Sequence, residues 1–272
     1  MVIDRKRKTG LKAARISAAL WVLICPTISI ALAQQSPESG DATATSQERP
    51  ESWKRLIPNA ANDEKRIWLF PVHMFGDKKR WAPALAVIGT TAALVVLDPS
   101  DARYFRRTSS FNGFNNVVTG RAAFYGIIGA PVALYTAGMA TRNSKLRKTS
   151  LFAAEALLDT YLVTLVMKDV DRRLQPIAIP PNGNFAHTWF QDNSHNGLSD
   201  GSFPSGHEIA AMSVATVVSR RYPHHKWIPY VSYGIAGVVG FSRVTRSSHF
   251  VSDVFMGGAL GYSISRFVVL QQ

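Results

Sequence analysis

Cysteine is almost absent: Cys25 stands alone among 272 residues. A disulfide within the chain is excluded, and so is a cysteine-based metal centre. Acidic residues are also scarce, 18 Asp and Glu against 31 Lys and Arg, for a formal net charge of +13. An excess of that size suits anionic partners, whether nucleic acid, a membrane surface or a phosphorylated substrate. No zinc-finger spacing or other nucleic-acid signature accompanies it, so nucleic acid is the least favoured of the three. There is no internal repeat, and no Lys or Arg occurs between Ile177 and Ser202. The length allows one or two domains and a sizeable core.

The N-terminus has the form of an export signal. Arg5, Lys6, Arg7, Lys8, Lys12 and Arg15 make a basic head, Ile16 to Leu32 is uncharged and apolar, and Ala31 to Ala33 supplies small residues before Gln34. Residues 1–33 therefore read as a signal peptide, or as an anchor if retained. Cys25, between Ile24 and Pro26, is a poor lipidation site. Residues 34–62 are rich in Ser, Glu, Gln, Pro and Ala and read as a disordered linker. The helical domain is expected over residues 63–272. The run Ile67–Gly76, broken by Pro71, suits a membrane surface or a cap on the core.

Six apolar stretches follow: Ala82–Leu97, Ala122–Ala140, Leu151–Met167, Ile209–Val218, Trp227–Phe241 and Val254–Leu270. Most are too long for strands, so the expected fold class is all-α, a bundle of about six core helices. A span needs about 20 apolar residues, and several stretches are shorter. Basic residues before the first stretch (Lys78, Lys79, Arg80), after the second (Arg142, Lys145, Arg147, Lys148) and after the fourth (Arg220, Arg221, Lys226) fall on one side of a six-helix serpentine. That is the arrangement of the positive-inside rule. Arg103, Arg106, Arg107 and Arg121 fall on the other side and dissent. An export signal ahead of six spans would invert the serpentine. The two expectations conflict unless one stretch does not cross or the bundle lies outside the membrane.

Three short segments carry chemistry. In the run Ser242–Asp253, Asp253 lies four residues after His249, on the same face if a helix begins there. A carboxylate at that spacing takes the proton of one imidazole nitrogen and leaves the other nucleophilic. Arg243 supplies planar, permanently charged donors for an oxyanion. In Phe203–His207, Pro204 and Ser205 suit a helix start, Gly206 permits close approach of a ligand, and His207 is placed to protonate a leaving oxygen. In Lys168–Pro176, Lys168, Arg172 and Gln175 are spaced i, i+4 and i+7 and are expected to share a helical face. Each segment alone also has an ordinary structural reading: a buried ion pair, a capped turn, a basic helix end. Glu155 and Asp159, one turn apart, read as internal partners for Arg or Lys; His187, His195 and Trp189 read as surface-loop residues.

Together the segments resemble the type 2 phosphatidic acid phosphatase and vanadium-dependent haloperoxidase superfamily, whose signature is K-x6-R-P, then P-S-G-H, then S-R-x5-H-x3-D. The second and third parts match at every defined position and in order. With near-uniform residue usage, chance would place both in such a chain on the order of once in a million. The first part departs: Gln175 stands where the family has arginine, followed by Pro176. Arg172 is the expected substitute and Arg173 the next candidate. The resemblance implies that His249 attacks phosphorus and forms a phosphohistidine, with Asp253 orienting it. It also implies that Lys168, Ser205, Gly206 and Arg243 hold phosphoryl oxygens and that His207 serves the leaving group and then water. No metal and no cofactor are expected, with vanadate only in a haloperoxidase. The expected substrate is a phosphorylated lipid or a small phosphoester, and the expected location is the cell envelope, inner membrane or periplasm, with the site facing outward. The alternatives are a soluble exported acid phosphatase of broad specificity, a vanadate-dependent haloperoxidase, and a catalytically silent family member.

Overall fold

A computed structural model describes residues 52–74, 78–191 and 201–270, with the side chains of 70–81 left aside. Among the described residues there are eight α-helices and no strand. The expected signal segment lies outside them. The helices are α1 (Leu56–Met74), α2 (Lys78–Arg107), α3 (Asn112–Val117), α4 (Gly120–Ala140), α5 (Ser144–Asp171), α6 (Gly206–Arg221), α7 (Trp227–Thr245) and α8 (Val251–Ile264). A π-turn, Ser265–Val269, extends α8. All six apolar stretches are helical. A further helix, α1, takes in residues 56–62 from the segment whose composition reads as linker, and it continues through Pro71.

The helix starts are written locally. Thr119 accepts from the Ala122 amide at the head of α4, and Asn143 accepts from the Leu146 amide at the head of α5. α2 does not stop at Leu97 but runs through Pro99 to Arg107. Its end is secured from outside: Arg106 donates to the Ile179 carbonyl and Arg107 to the Pro181 carbonyl and the Asn182 side chain. Two of the dissenting arginines therefore satisfy loop carbonyls, which explains their place against the charge rule.

α6 is the central helix, packed against α4, α5, α7 and α8. Its contact with α8 is made without intervening side chains. A Cβ on Gly261 would lie 2.3 Å from the Ile209 carbonyl oxygen, and one on Gly257 would lie 2.8 Å from that of Ser205. This small-x3-small spacing lets the two backbones touch and fixes the separation of the two helix heads that carry the signature. α1 lies on α5, where Asp63 joins Glu155 and Asp159, the three buried carboxylates having ligand oxygens within 4.8 Å of one another. Asn59 donates to Glu155, and Arg66 lies 4.0 Å from Asp63.

Among the described residues, three helices are long and apolar enough to cross a membrane: Ala82–Arg107, Gly120–Ala140 and Ser144–Ala178, the last two separated by one short turn. They include α2, α4 and α5 and bring large apolar side chains such as Val96, Phe124, Tyr125, Val132 and Val166 to the surface.

Candidate active site

The site lies at one end of the bundle, where α5 ends and α4, α6 and α8 begin. His249 is buried just ahead of α8. Its Nδ1 lies 2.7 Å from the Ser202 carbonyl oxygen. A carbonyl only accepts, so Nδ1 carries the proton and Nε2 keeps its lone pair. Asp253 Oδ2 is farther away, 3.7 Å from Nδ1. The carboxylate at i+4 therefore acts on His249 chiefly at one remove. It accepts from the Ser202 hydroxyl and from the Phe250 amide at 2.8 Å, holding the strip that presents the Ser202 carbonyl. Burial pushes the His249 pKa below its usual 6.5, with the Lys168 charge acting the same way against the opposing pull of Asp253.

His207 stands in the first turn of α6, its Nε2 3.2 Å from the Gly120 carbonyl at the head of α4. By the same logic Nε2–H donates and Nδ1 is the free acceptor. Its pKa is lowered to about 4, first by burial and then by the charges of Arg243 and His249, with Lys168 adding to them. Lys168, Arg243 and His249 all act on this imidazole, so groups of the first and third signature segments converge on that of the second.

Arg243 is buried in the last turn of α7. Nε and Nη2 donate to Ser242 Oγ at 3.1 and 2.8 Å, and no carboxylate among the described residues pairs with it. Nη1 faces Gly120, where an added Cβ would sit 2.8 Å away. A buried guanidinium held by a neutral hydroxyl keeps its charge for an incoming anion. Gly120→Ala is accordingly expected to lower turnover about 10- to 100-fold by displacing the guanidinium. The melting temperature should hardly change, since a flexible side-chain end can yield; thermal melts and steady-state rates on the same sample check this.

Ser205 completes the anion-facing surface. It is the N-cap of α6, fully buried, its amide bonded to the Asp253 carbonyl at 3.0 Å, yet its hydroxyl has no partner among the described residues. A buried hydroxyl with nothing to bond is costly unless a ligand supplies the partner. An added Cβ on Gly206 would meet only Thr164, at 3.7 Å, so the protein leaves room above the helix head.

The first segment is arranged differently from its periodicity. α5 ends at Asp171, and Arg172 takes a left-handed conformation, φ 43°. The i, i+4, i+7 face therefore does not extend past the helix end. Arg172 is exposed, its guanidinium on Asp169. Arg172→Ala is expected to leave turnover within about twofold of the parent, as for surface substitutions generally. Gln175 is half-buried at the head of a 3-10 turn, Pro176–Ala178.

Arg173 is the residue drawn inward. It is 1% exposed, stacked between the rings of Trp189 at 4.3 Å and Phe250 at 4.0 Å. Nη2 donates to Asp98 at 2.7 Å, and Nη1 donates to Asp253 and to Ser252 Oγ. Ser252 in turn donates to Asp98 through its hydroxyl and its amide. The backbone holds Arg173 in place: its carbonyl accepts from Ser202, and its neighbours bond Thr188, Phe190 and Gln191. Trp189 thus serves as a stacking partner, while His187 is exposed and His195 lies outside the described residues. Arg246 is engaged by the Asn115 carbonyl at 2.8 Å. Sequence reasoning missed Asp98, Gly120 and Ser202. Asp98 alone carried a signal, as a carboxylate within an apolar helix, which requires a partner.

The PAP2 superfamily model matches residues 148–272, the segment that supplies Lys168, Ser205, His207, Arg243, His249 and Asp253. Residues 148–272 form a PAP2 superfamily region. Lipid A 1-phosphatase from Porphyromonas gingivalis is 34% identical over 67 residues, which is 24% of this chain. The match spans 15% of that protein's length. The PAP2 type phosphatidylglycerolphosphate phosphatase from Bacillus subtilis, solved by crystallography, aligns over 78% of this chain and 94% of its own at 20% identity and a TM-score of 0.39. Within the PAP2 region, Gln175 in place of the signature arginine and the inward turn of Arg173 are features of this chain.

Proposed function

We propose that the protein is a membrane-bound phosphatase that hydrolyses a phosphomonoester or pyrophosphate bond of a lipid phosphate through a phosphohistidine on His249. The observation that carries this reading is the 2.7 Å contact of His249 Nδ1 with the Ser202 carbonyl: Nδ1–H donates to that oxygen, and Nε2 keeps its lone pair near Lys168, Arg243 and His207. Nε2 attacks phosphorus, the bond from phosphorus to the leaving oxygen breaks, and His207 gives that oxygen a proton. Water then loses a proton to His207 and attacks phosphorus, the P–N bond breaks, and phosphate departs.

Transferred phosphoryl groups spread negative charge over three oxygens, and fixed cations and donors stabilise that charge. Arg243, Lys168, the Ser205 hydroxyl and the head of α6 supply them. His207 is neutral in the free protein because burial and the charges of Arg243 and Lys168 oppose its protonation. An anion among those cations reverses the electrostatic part and raises its pKa, so substrate binding arms the acid. No metal is assigned a role, since Lys and Arg supply the charge.

A lipid substrate is favoured by the three apolar helices that lead to the site and is consistent with the lipid A 1-phosphatase that shares a 67-residue stretch with this chain. An outward-facing site in the cell envelope is supported by the basic residues at the opposite end of the bundle, which favour the inner side of a membrane.

The testing experiment measures phosphate release by the purified full chain from lipid monophosphates, polyprenyl pyrophosphate and a soluble aryl phosphate, with and without EDTA. Release from lipid phosphates that survives EDTA and is blocked by vanadate is expected. Loss of activity in EDTA, a preference for the soluble ester, or halide oxidation with vanadate in place of hydrolysis would each refute the corresponding part. A pH profile adds a sign. His249 must be unprotonated to attack, and its pKa lies below 6.5, so the acid limb of kcat/KM should fall below that value. A limb above it would contradict the buried neutral nucleophile.

A further inference from the structure

At the end of the bundle away from the catalytic site there is a cavity of about 430 Å³ lined by Ser144, Lys145, Lys148, Arg220, Arg221, Pro223 and His224. α6 separates the two ends, so about 20 Å of helix lies between His207 and this cavity. Lys145, Lys148, Arg220, Arg221 and a histidine line one space, and no carboxylate among the described residues lines it. The partners that fix two of the cations are neutral. Lys145 Nζ lies 4.7 Å over the Tyr222 ring, and Arg220 Nη2 donates to the Tyr262 hydroxyl at 3.2 Å. Aromatic faces and hydroxyls hold a cation in place without cancelling its charge, so the cavity attracts an anion.

Position selects among anions. The cavity opens at the turn between α4 and α5, two neighbouring helices each long and apolar enough to cross a membrane. With α4 and α5 crossing a bilayer, its mouth comes level with the boundary between hydrocarbon and headgroups. A basic pocket between helices at that depth is suited to a lipid phosphate.

We propose that this cavity binds the phosphoryl group of an anionic phospholipid headgroup in the leaflet opposite the active site. The inference rests on α4 and α5 crossing the bilayer and is independent of the phosphatase reading.

The test uses the full chain in detergent with Cys25→Ser and Ser144→Cys, so that one environment-sensitive fluorophore reports from the cavity wall. It is titrated with dihexanoyl phosphatidylglycerol, dihexanoyl phosphatidylcholine and inorganic phosphate. A saturable response to phosphatidylglycerol is expected, with none to phosphatidylcholine and a weaker one to phosphate. Lys145→Gln with Arg220→Gln should weaken the phosphatidylglycerol response about 25-fold, at about fivefold per cation, while phosphate release stays at the parental rate. If that pair disturbs folding, Lys145→Gln alone, at an exposed position, should still weaken it about fivefold. Equal responses to the two lipids, no saturation, or an unchanged response in the variants overturns the proposal. Tighter binding of inorganic phosphate than of the lipid overturns it in favour of a free-ion site. Loss of hydrolysis with an intact titration would refute the phosphatase reading alone.

Discussion

Replacing His249 by glutamine should lower phosphate release by about 10⁴-fold or more while leaving the fold intact. Glutamine can still donate to the Ser202 carbonyl, which His249 meets at 2.7 Å, so the strip from Ser202 to His207 keeps its anchor. What disappears is the lone pair on Nε2. Without it no P–N bond forms, and the remaining cations only hold the substrate. Circular dichroism and detergent melting should match the parent, and substrate affinity should change far less than turnover. His207→Gln offers the complementary reading: with a good leaving group, attack proceeds without an acid, but the second step lacks its base, so an acid-labile phosphoryl-enzyme should accumulate. Undiminished turnover in His249→Gln, or label recovered on another residue, would remove the assigned nucleophile.

The second large effect is expected at Arg173, which touches neither imidazole. Arg173→Met leaves Asp98 and Asp253 buried, both essentially unexposed, with their shared cation gone. Breaking a buried pair from one side costs about 3–5 kcal/mol, so denaturant titration should show a loss of that size. Folded protein should also turn over at least about 100-fold more slowly. Asp253 organises Ser202, and Ser202 sets the tautomer of His249. Arg173→Lys should rescue little, because a single ammonium nitrogen does not occupy the two positions from which Nη2 reaches Asp98 and Nη1 reaches Asp253, and it has no planar group to lie between Trp189 and Phe250. Adding Asp98→Asn to Arg173→Met should restore part of the stability, since one stranded charge is removed. Failure of that partial rescue would show that stacking, and not the ion network, is what Arg173 contributes.

Arg173 also marks where reading by residue spacing stops. Lys168, Arg172 and Gln175 fall on one face only if the helix continues past Asp171. The chain instead turns left-handed at Arg172, and the next arginine is carried into the core. Nothing in the local pattern distinguishes the two arginines. The difference is made by Trp189, Phe250, Asp98 and Asp253, all distant in sequence. Asp253 shows the same limit in milder form. Its spacing from His249 is helical as expected, yet Nδ1 meets a carbonyl first, because the 202–205 strip passes between helix heads that glycines at 257 and 261 bring into contact.

The residues by themselves determined the helical class, the six apolar segments and the ordered signature of His207, Arg243, His249 and Asp253, because a helical period and a short motif are properties of neighbours along the chain. The tertiary structure alone decided which arginine is buried, which carbonyl fixes each imidazole and which cations share the far cavity. Those choices join residues 47, 75 and 80 positions apart. Contacts at such separations are set by how the helices pack against one another, and no local period records them.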